Sequence, residues 1–180
     1  MAKAVKKHGR VYTPDYIVNL ILDFGGYNSS EILKKHVIDN SCGDGAFLVE
    51  IVNRYCSTFL QTSNDISLLR EELETYIHGI ELDEVECKSC IKNLHQITDK
   101  YGVKDINWNI LNADTLTIDQ FNGKMDFVFG NPPYVRVHNL ETSYDSVKKF
   151  KFAKDGMTDL FIVFFEIGFK MLAKEGVMCL

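Results

Sequence analysis

"HVIDNSCGDGAFLVEIVNRY", His36 to Tyr55, changes its hydrophobic period partway along. Val37 and Ile38 make a short apolar strand that ends at Asp39, Asn40 and Ser41. Gly43 and Gly45 form a tight turn, and from Phe47 onward apolar residues recur at helical spacing. A strand running through a glycine turn into an amphipathic helix is the opening unit of a parallel α/β sheet. In such a turn backbone N–H groups approach a ligand closely, and the helix start behind them is electropositive. The spacing is GxG, without the third glycine of a dinucleotide fingerprint, so a plain tight turn explains it equally well.

The alternation continues on both sides. "VYTPDYIVNLILDFGG" reads as an extended start and a helix with Thr13 as N-cap and Pro14 at its first position, stopping at Gly25-Gly26. "SLLREELETY" is a further helix, read as an insertion; "YIHGIEL" is a second strand, and "DEVECKSCIKNLHQITDKYG" the helix after it. "INWNILNAD" and "MDFVFGN" are strands three and four, followed by a polar loop with a helical turn from Val135 to Gly156. A helix from about Asp159 to Ala173 leads into "EGVMCL", a fifth strand. We expect one α/β domain over residues 1–180, with a parallel, Rossmann-like sheet.

Composition narrows the function classes. The 180 residues carry a formal charge of −5, from 20 Lys+Arg and 25 Asp+Glu, which argues against nucleic-acid binding by bulk charge. The local basic runs (Lys3, Lys6, Lys7 and Arg10; Lys148, Lys149, Lys151 and Lys154) read as solvated faces. Five scattered cysteines fit a reduced cytosolic compartment. Cys87 and Cys90 form a lone CxxC without a second pair at ligand spacing, and they share a helical face with Ile91, Leu94 and Tyr101; we read core cysteines and no metal site. "MAKAVKKHGR" is followed by no apolar segment of a secretory signal, and "DLFIVFFEIGFKMLA" is interrupted by Glu166 and Lys170. No membrane association is expected.

Ligands of parallel sheets bind beyond the carboxyl ends of the strands. Asp39 stands at the first such end, where a carboxylate suits an ammonium group. Glu81 ends the second strand, where an acid accepts hydrogen bonds from vicinal hydroxyls; capping of the next helix is the other reading, and Asp83 suits that role better. Asp114, beyond the third strand, is either an acceptor for an exocyclic amine or a turn cap. The fourth end, Asn131-Pro132-Pro133-Tyr134, says more. The prolines fix the backbone and remove two donors. The Asn131 side-chain carbonyl and the Pro132 backbone carbonyl then converge on one amino group, with the Tyr134 ring beside them for stacking.

Taken together, "GRVYTP", "DNSCGDGAFL", "NPPYVRVHNL" and "DLFIVFFEIGFKMLAKEGV" resemble the gamma-type N6-adenine DNA methyltransferases of restriction–modification systems, including their fused restriction–methylase branch. The resemblance implies S-adenosylmethionine as cofactor. By it, Tyr12 and Thr13 meet the cofactor's methionine end, Asp39 its amino group, and Ser41, Cys42, Gly43 and Gly45 form the turn around it. Glu81 takes the ribose, Leu82 packs on the cofactor's adenine, and Asp114 accepts that adenine's amino group. Asn131, Pro132, Pro133 and Tyr134 hold a flipped target adenine, so the full-length parent acts on double-stranded DNA. Family members continue with two more strands and a target-recognition domain. We therefore expect a fragment of a longer enzyme, inactive alone, whose last strand offers an edge for self-association. The competing readings are an N5-glutamine protein methyltransferase, an RNA base methyltransferase, and a cofactor-binding module without chemistry.

Overall fold

The structure, a computed structural model, describes residues 12–135, 147, 149–153 and 159–180. The first basic run, Lys148 and Lys154 of the second, Gly9 to Val11 of "GRVYTP" and the "RVHNL" following Val135 lie outside the described residues.

Five strands form one sheet: β1 Val37–Asp39, β2 Ile77–Glu81, β3 Asn109–Asn112, β4 Met125–Phe129 and β5 Leu172–Cys179. Every pairing is parallel, in the order β3-β2-β1-β4-β5. The chain builds outward from β1 to β3, then returns to lay β4 on the other side of β1. The connections therefore part between β1 and β4, which opens a crevice at their carboxyl ends. Helices α1 Asp15–Phe24, α2 Ala46–Leu60, α3 Ile66–Tyr76, α4 Glu84–Asp99 and α5 Leu160–Met171 complete the layers.

β1 and β2 are buried along their whole length, as strands covered on both faces must be. On one face Val37 joins a core with Leu48, Ile51 and Val52 of α2, Leu69 and Leu73 of α3, and Cys90 and Leu94 of α4. On the other, Ile38, Ile80 and Val128 lie under Val163, Phe164 and Ile167 of α5. Cys87 and Cys90 are core residues, as their helical spacing predicts. Arg54 of α2 clamps α1 from within this arrangement: its guanidinium donates to Asp23 at 2.6 Å, to the Asn19 side chain at 2.7 Å and to the Tyr27 carbonyl at 3.0 Å. That clamp fixes where Tyr12 and Thr13 enter the crevice.

Two boundaries differ from the sequence reading. Helix α1 starts at Asp15, and Pro14 takes the capping position in extended backbone (φ −62°, ψ 146°). Thr13 makes no cap because its hydroxyl is engaged elsewhere, as described below. Helix α5 stops at Met171, and Leu172 and Ala173 already belong to β5. Leu and Ala are good helix formers, but pairing of Leu172 with Met125 of β4 overrides propensity.

At the opposite, amino end of the sheet, His36 and His78 share a 2.9 Å ring–ring hydrogen bond, and the other His78 nitrogen meets the Asn109 amide at 2.9 Å. Burial, and then the neighbouring His36, lower the His78 pKa from 6.5 to about 4. The neutral ring is therefore the folded form. The stability it contributes is present above the unfolded value of 6.5 and is lost as pH falls toward 4. Chemical denaturation should show a loss of roughly 3 kcal/mol between pH 7 and pH 4 from this group, absent in His78→Asn.

Candidate active site

A cavity of about 530 Å³ lies at the carboxyl ends of β1, β2 and β4, within the size range of small-molecule sites. Its wall includes Tyr12, Thr13, Asp39, Ser41, Cys42, Gly43, Glu81, Leu82, Asp114, Asn131 and Pro133. Residues scattered from 12 to 133 in sequence thus meet in one place. Gly45, Pro132 and Tyr134 lie outside the described wall. Gly45 closes the turn that follows β1. It opens α2 at φ 94°, and a Cβ there would sit 2.8 Å from Cys90 Sγ. Its lack of a side chain lets α2 and α4 close on each other. Gly45→Ala should cost about 1–3 kcal/mol in a denaturant melt, from backbone strain and overpacking together.

Asp39 is 2% exposed. Its Oδ1 accepts from Ser41 N at 3.0 Å, and a Cβ on Gly130 would lie 2.6 Å from that same oxygen. Glycine at the end of β4 is what allows the carboxylate to tuck between the two strand ends. Burial raises the Asp39 pKa to about 7, with the nearby Glu81 adding to the rise and the Ser41 amide opposing it. A cation placed here would restore the charge.

Glu81 is buried and wires two motifs together. Its Oε2 accepts from Gly43 N at 2.9 Å and its Oε1 from Asp83 N at 2.8 Å. Asp83 is the cap of α4, accepting from Val85 N at 2.9 Å and Glu86 N at 3.3 Å. The carboxylate thus holds the glycine turn in shape. Asp114 caps the turn after β3, its Oδ1 accepting from Leu116 N at 3.0 Å, and it lines the cavity.

The tip after β4 is stapled at two points. Asn131 Nδ2 donates to Thr13 Oγ1 at 3.1 Å, and Ser41 Oγ donates to the Asn131 backbone carbonyl at 3.5 Å. Committing the nitrogen end of the amide to Thr13 fixes which end is the oxygen. Pro132 is buried, whereas Tyr134 stands at the rim, 58% exposed, its ring 6.1 Å from that of Phe161. Cys42 keeps its proton: a hydrogen bond with Cys90, and then burial, hold its pKa well above the ordinary thiol value. A buried neutral thiol is no nucleophile.

Sequence reasoning missed several wall residues. Asn40, Asp44, Thr115, Val135, Leu160 and Phe164 all line the cavity. Phe164 reads as an ordinary helix-core residue in sequence, and nothing local marks it otherwise. Seven described lining residues are acids and none is Lys or Arg. Among the described residues, no three His, Cys, Asp or Glu side chains gather to hold a metal ion, and no helix is long and apolar enough to cross a membrane.

Known proteins share this architecture. The chain is 32% identical to the Type II methyltransferase M.BstVI of Geobacillus stearothermophilus, over 96% of this chain and 33% of that protein. It is 27% identical to the Type II methyltransferase M.PaeR7I of Pseudomonas aeruginosa, over 73% of this chain and 24% of that protein. It thus spans about a third or less of these relatives' length. Among solved structures, a class I S-adenosylmethionine-dependent methyltransferase fold from Listeria monocytogenes superposes with TM-score 0.63 at 16% identity, over 92% of this chain and 44% of that one. DrdV, in its complex with DNA, superposes with TM-score 0.68 at 17% identity, over 98% of this chain and 21% of that one. The chain therefore shares the Rossmann-like fold of these structures, a parallel α/β sheet as the alternation of elements predicts. A family model described as Eco57I restriction-modification methylase matches residues 44–180. With the ends of β2, β3 and β4, its Asn-Pro-Pro-Tyr tip and most of its length inside that match, the chain belongs to the Eco57I restriction-modification methylase family.

Proposed function

We propose that the full-length protein to which this chain belongs transfers a methyl group from S-adenosylmethionine to the N6 amino group of adenine in DNA. The observation that carries this is the convergence of Asn131, its amide oriented by Thr13, on the same cavity as Asp39 and Glu81. The wall fits the cofactor on charge: acids without a compensating Lys or Arg suit a ligand bearing a sulfonium and an ammonium. In this reading Asp39 takes the ammonium, Glu81 the ribose hydroxyls, and Asp114 with Leu82 the adenine. The cofactor supplies an electrophilic methyl group. The protonated Cys42 beside it offers no competing thiolate.

An aromatic exocyclic amine is a poor nucleophile because its lone pair is delocalised into the ring. Asn131 Oδ1 and the Pro132 carbonyl accept hydrogen bonds from its two N–H groups and push electron density back to nitrogen. Alignment for in-line displacement supplies much of the rate, and no covalent enzyme intermediate is needed. A base inside a duplex cannot reach the cavity and must be flipped out. Tyr134, exposed at the rim, stacks on it and returns ~1–3 kcal/mol of that cost. The names of M.BstVI and M.PaeR7I as Type II methyltransferases and the DNA held by DrdV support DNA as the substrate.

The test is methyl transfer by the full-length protein from labelled S-adenosylmethionine to adenine-containing duplex DNA, beside a glutamine-bearing peptide. Label recovered as N6-methyladenine is the expected result. Label in the peptide alone, or in cytosine, would overturn the reading.

A further inference from the structure

Asn40 has no role in the mechanism above, yet it is the most anomalous polar residue in the wall. It is 0% exposed and lines the cavity, and neither its Oδ1 nor its Nδ2 has a hydrogen-bond partner. No other described wall residue carries such unpaired buried side-chain atoms. A buried amide without partners is costly, and native proteins retain one where something else completes it. The backbone of Asn40 is fixed: its carbonyl accepts from Thr115 Oγ1 at 2.7 Å, which ties the residue to the segment following Asp114. Asn40 is the first turn residue after β1, and Thr115 and Leu116 of that tied segment line the same cavity. Ile80, Leu160 and Phe164 add apolar surface to the lining that Asn40 shares with Leu116. Apolar surface with one unpaired donor–acceptor pair buried beside it suits the edge of a flat heterocycle.

We propose that Asn40 is a cofactor-reading residue whose side-chain amide pairs with one edge of the cofactor's adenine, Nδ2 donating to a ring nitrogen and Oδ1 accepting from the 6-amino group. An amide and an adenine edge match in this bidentate manner because each presents one donor beside one acceptor. Asp114 remains the partner of the other amino proton. The proposal rests on the S-adenosylmethionine reading of the site and adds a residue to it.

The experiment uses calorimetric titration of the full-length protein with S-adenosylhomocysteine and with its 1-deaza and 7-deaza adenine analogues, each lacking one ring-nitrogen acceptor. Asn40→Leu, close in volume and apolar, should bind S-adenosylhomocysteine about 10- to 100-fold more weakly than wild type. Its ligand-free melting temperature should rise, because an unpaired buried amide is gone. One of the two deaza analogues should bind wild type at least about tenfold more weakly, while Asn40→Leu does not distinguish that analogue from the parent compound. If Asn40→Leu does not fold, the deaza comparison on wild type and on Asn40→Ala decides the matter. Unchanged affinity in the Asn40 variants, or indifference of wild type to both deaza analogues, would overturn the inference while leaving the cofactor assignment standing. Failure of wild type to bind any of these compounds would overturn both.

Discussion

In the full-length protein, Asn131→Ala is expected to lower the rate of methyl transfer by about 10²–10³-fold while cofactor affinity is largely retained. The reason is differential: the bond from Oδ1 to the amine strengthens as the nitrogen gains positive character, so it stabilises the transition state more than the bound base. The structure adds a second, sharper expectation. Thr13 Oγ1 accepts from Asn131 Nδ2 and so selects the amide's orientation. Thr13→Val keeps the volume but removes the acceptor, and should cost about tenfold in kcat with little change in KM for DNA. Single-turnover methylation with saturating cofactor measures both. Full activity in Asn131→Ala would rule out the tip as the amine clamp.

Asp39→Asn is expected to weaken S-adenosylmethionine binding about 100-fold or more, because a buried carboxylate facing an ammonium is lost. It should also make the ligand-free protein more stable at pH 8. The Asp39 pKa is raised from 3.8 to about 7 by burial, so the folded state prefers the protonated form. Stability from this group is full below pH 4 and is lost as pH rises to 7, the reverse of the His78 trend. The wild type therefore carries a strain above pH 7 that asparagine removes, worth up to about 4 kcal/mol. Cofactor binding follows from the same shift. A bound ammonium favours the carboxylate, so wild-type affinity rises with pH up to about 7 and then levels off. In Asp39→Asn that acid limb disappears. A pH-independent affinity in wild type between pH 5 and 7 would show that Asp39 does not meet the ammonium.

These two residues illustrate how differently the site is encoded. Asn131 announces itself, since two prolines after an apolar strand have few local explanations. Asp39 is visible as an acid at a strand end, but its unusual affinity for a proton is not. That property comes from Gly130, whose missing side chain admits the carboxylate, and from Glu81 on the neighbouring strand. Glu81 shows the same division. Its position at the end of β2 is legible, whereas its bonds to Gly43 and Asp83 need strands β1 and β2 side by side in register. Gly45 adds a constraint of its own: in sequence it is half of a GxG turn, and in three dimensions its missing side chain also makes room for Cys90.

The sequence by itself determined the alternation of strands and helices, the parallel sheet, the helix cap at Asp83 and the chemistry gathered at the strand ends. These follow from periodicity and turn chemistry, which act over a few residues. Only the tertiary structure decided that Thr13 serves Asn131 rather than its own helix, that α5 gives way to β5 at Leu172, and that Asn40 lines the cavity unpaired. Each of these depends on a neighbour distant in the chain. The placing of β4 against β1 is a competition among pairings across the whole sheet, and no local signal records its outcome.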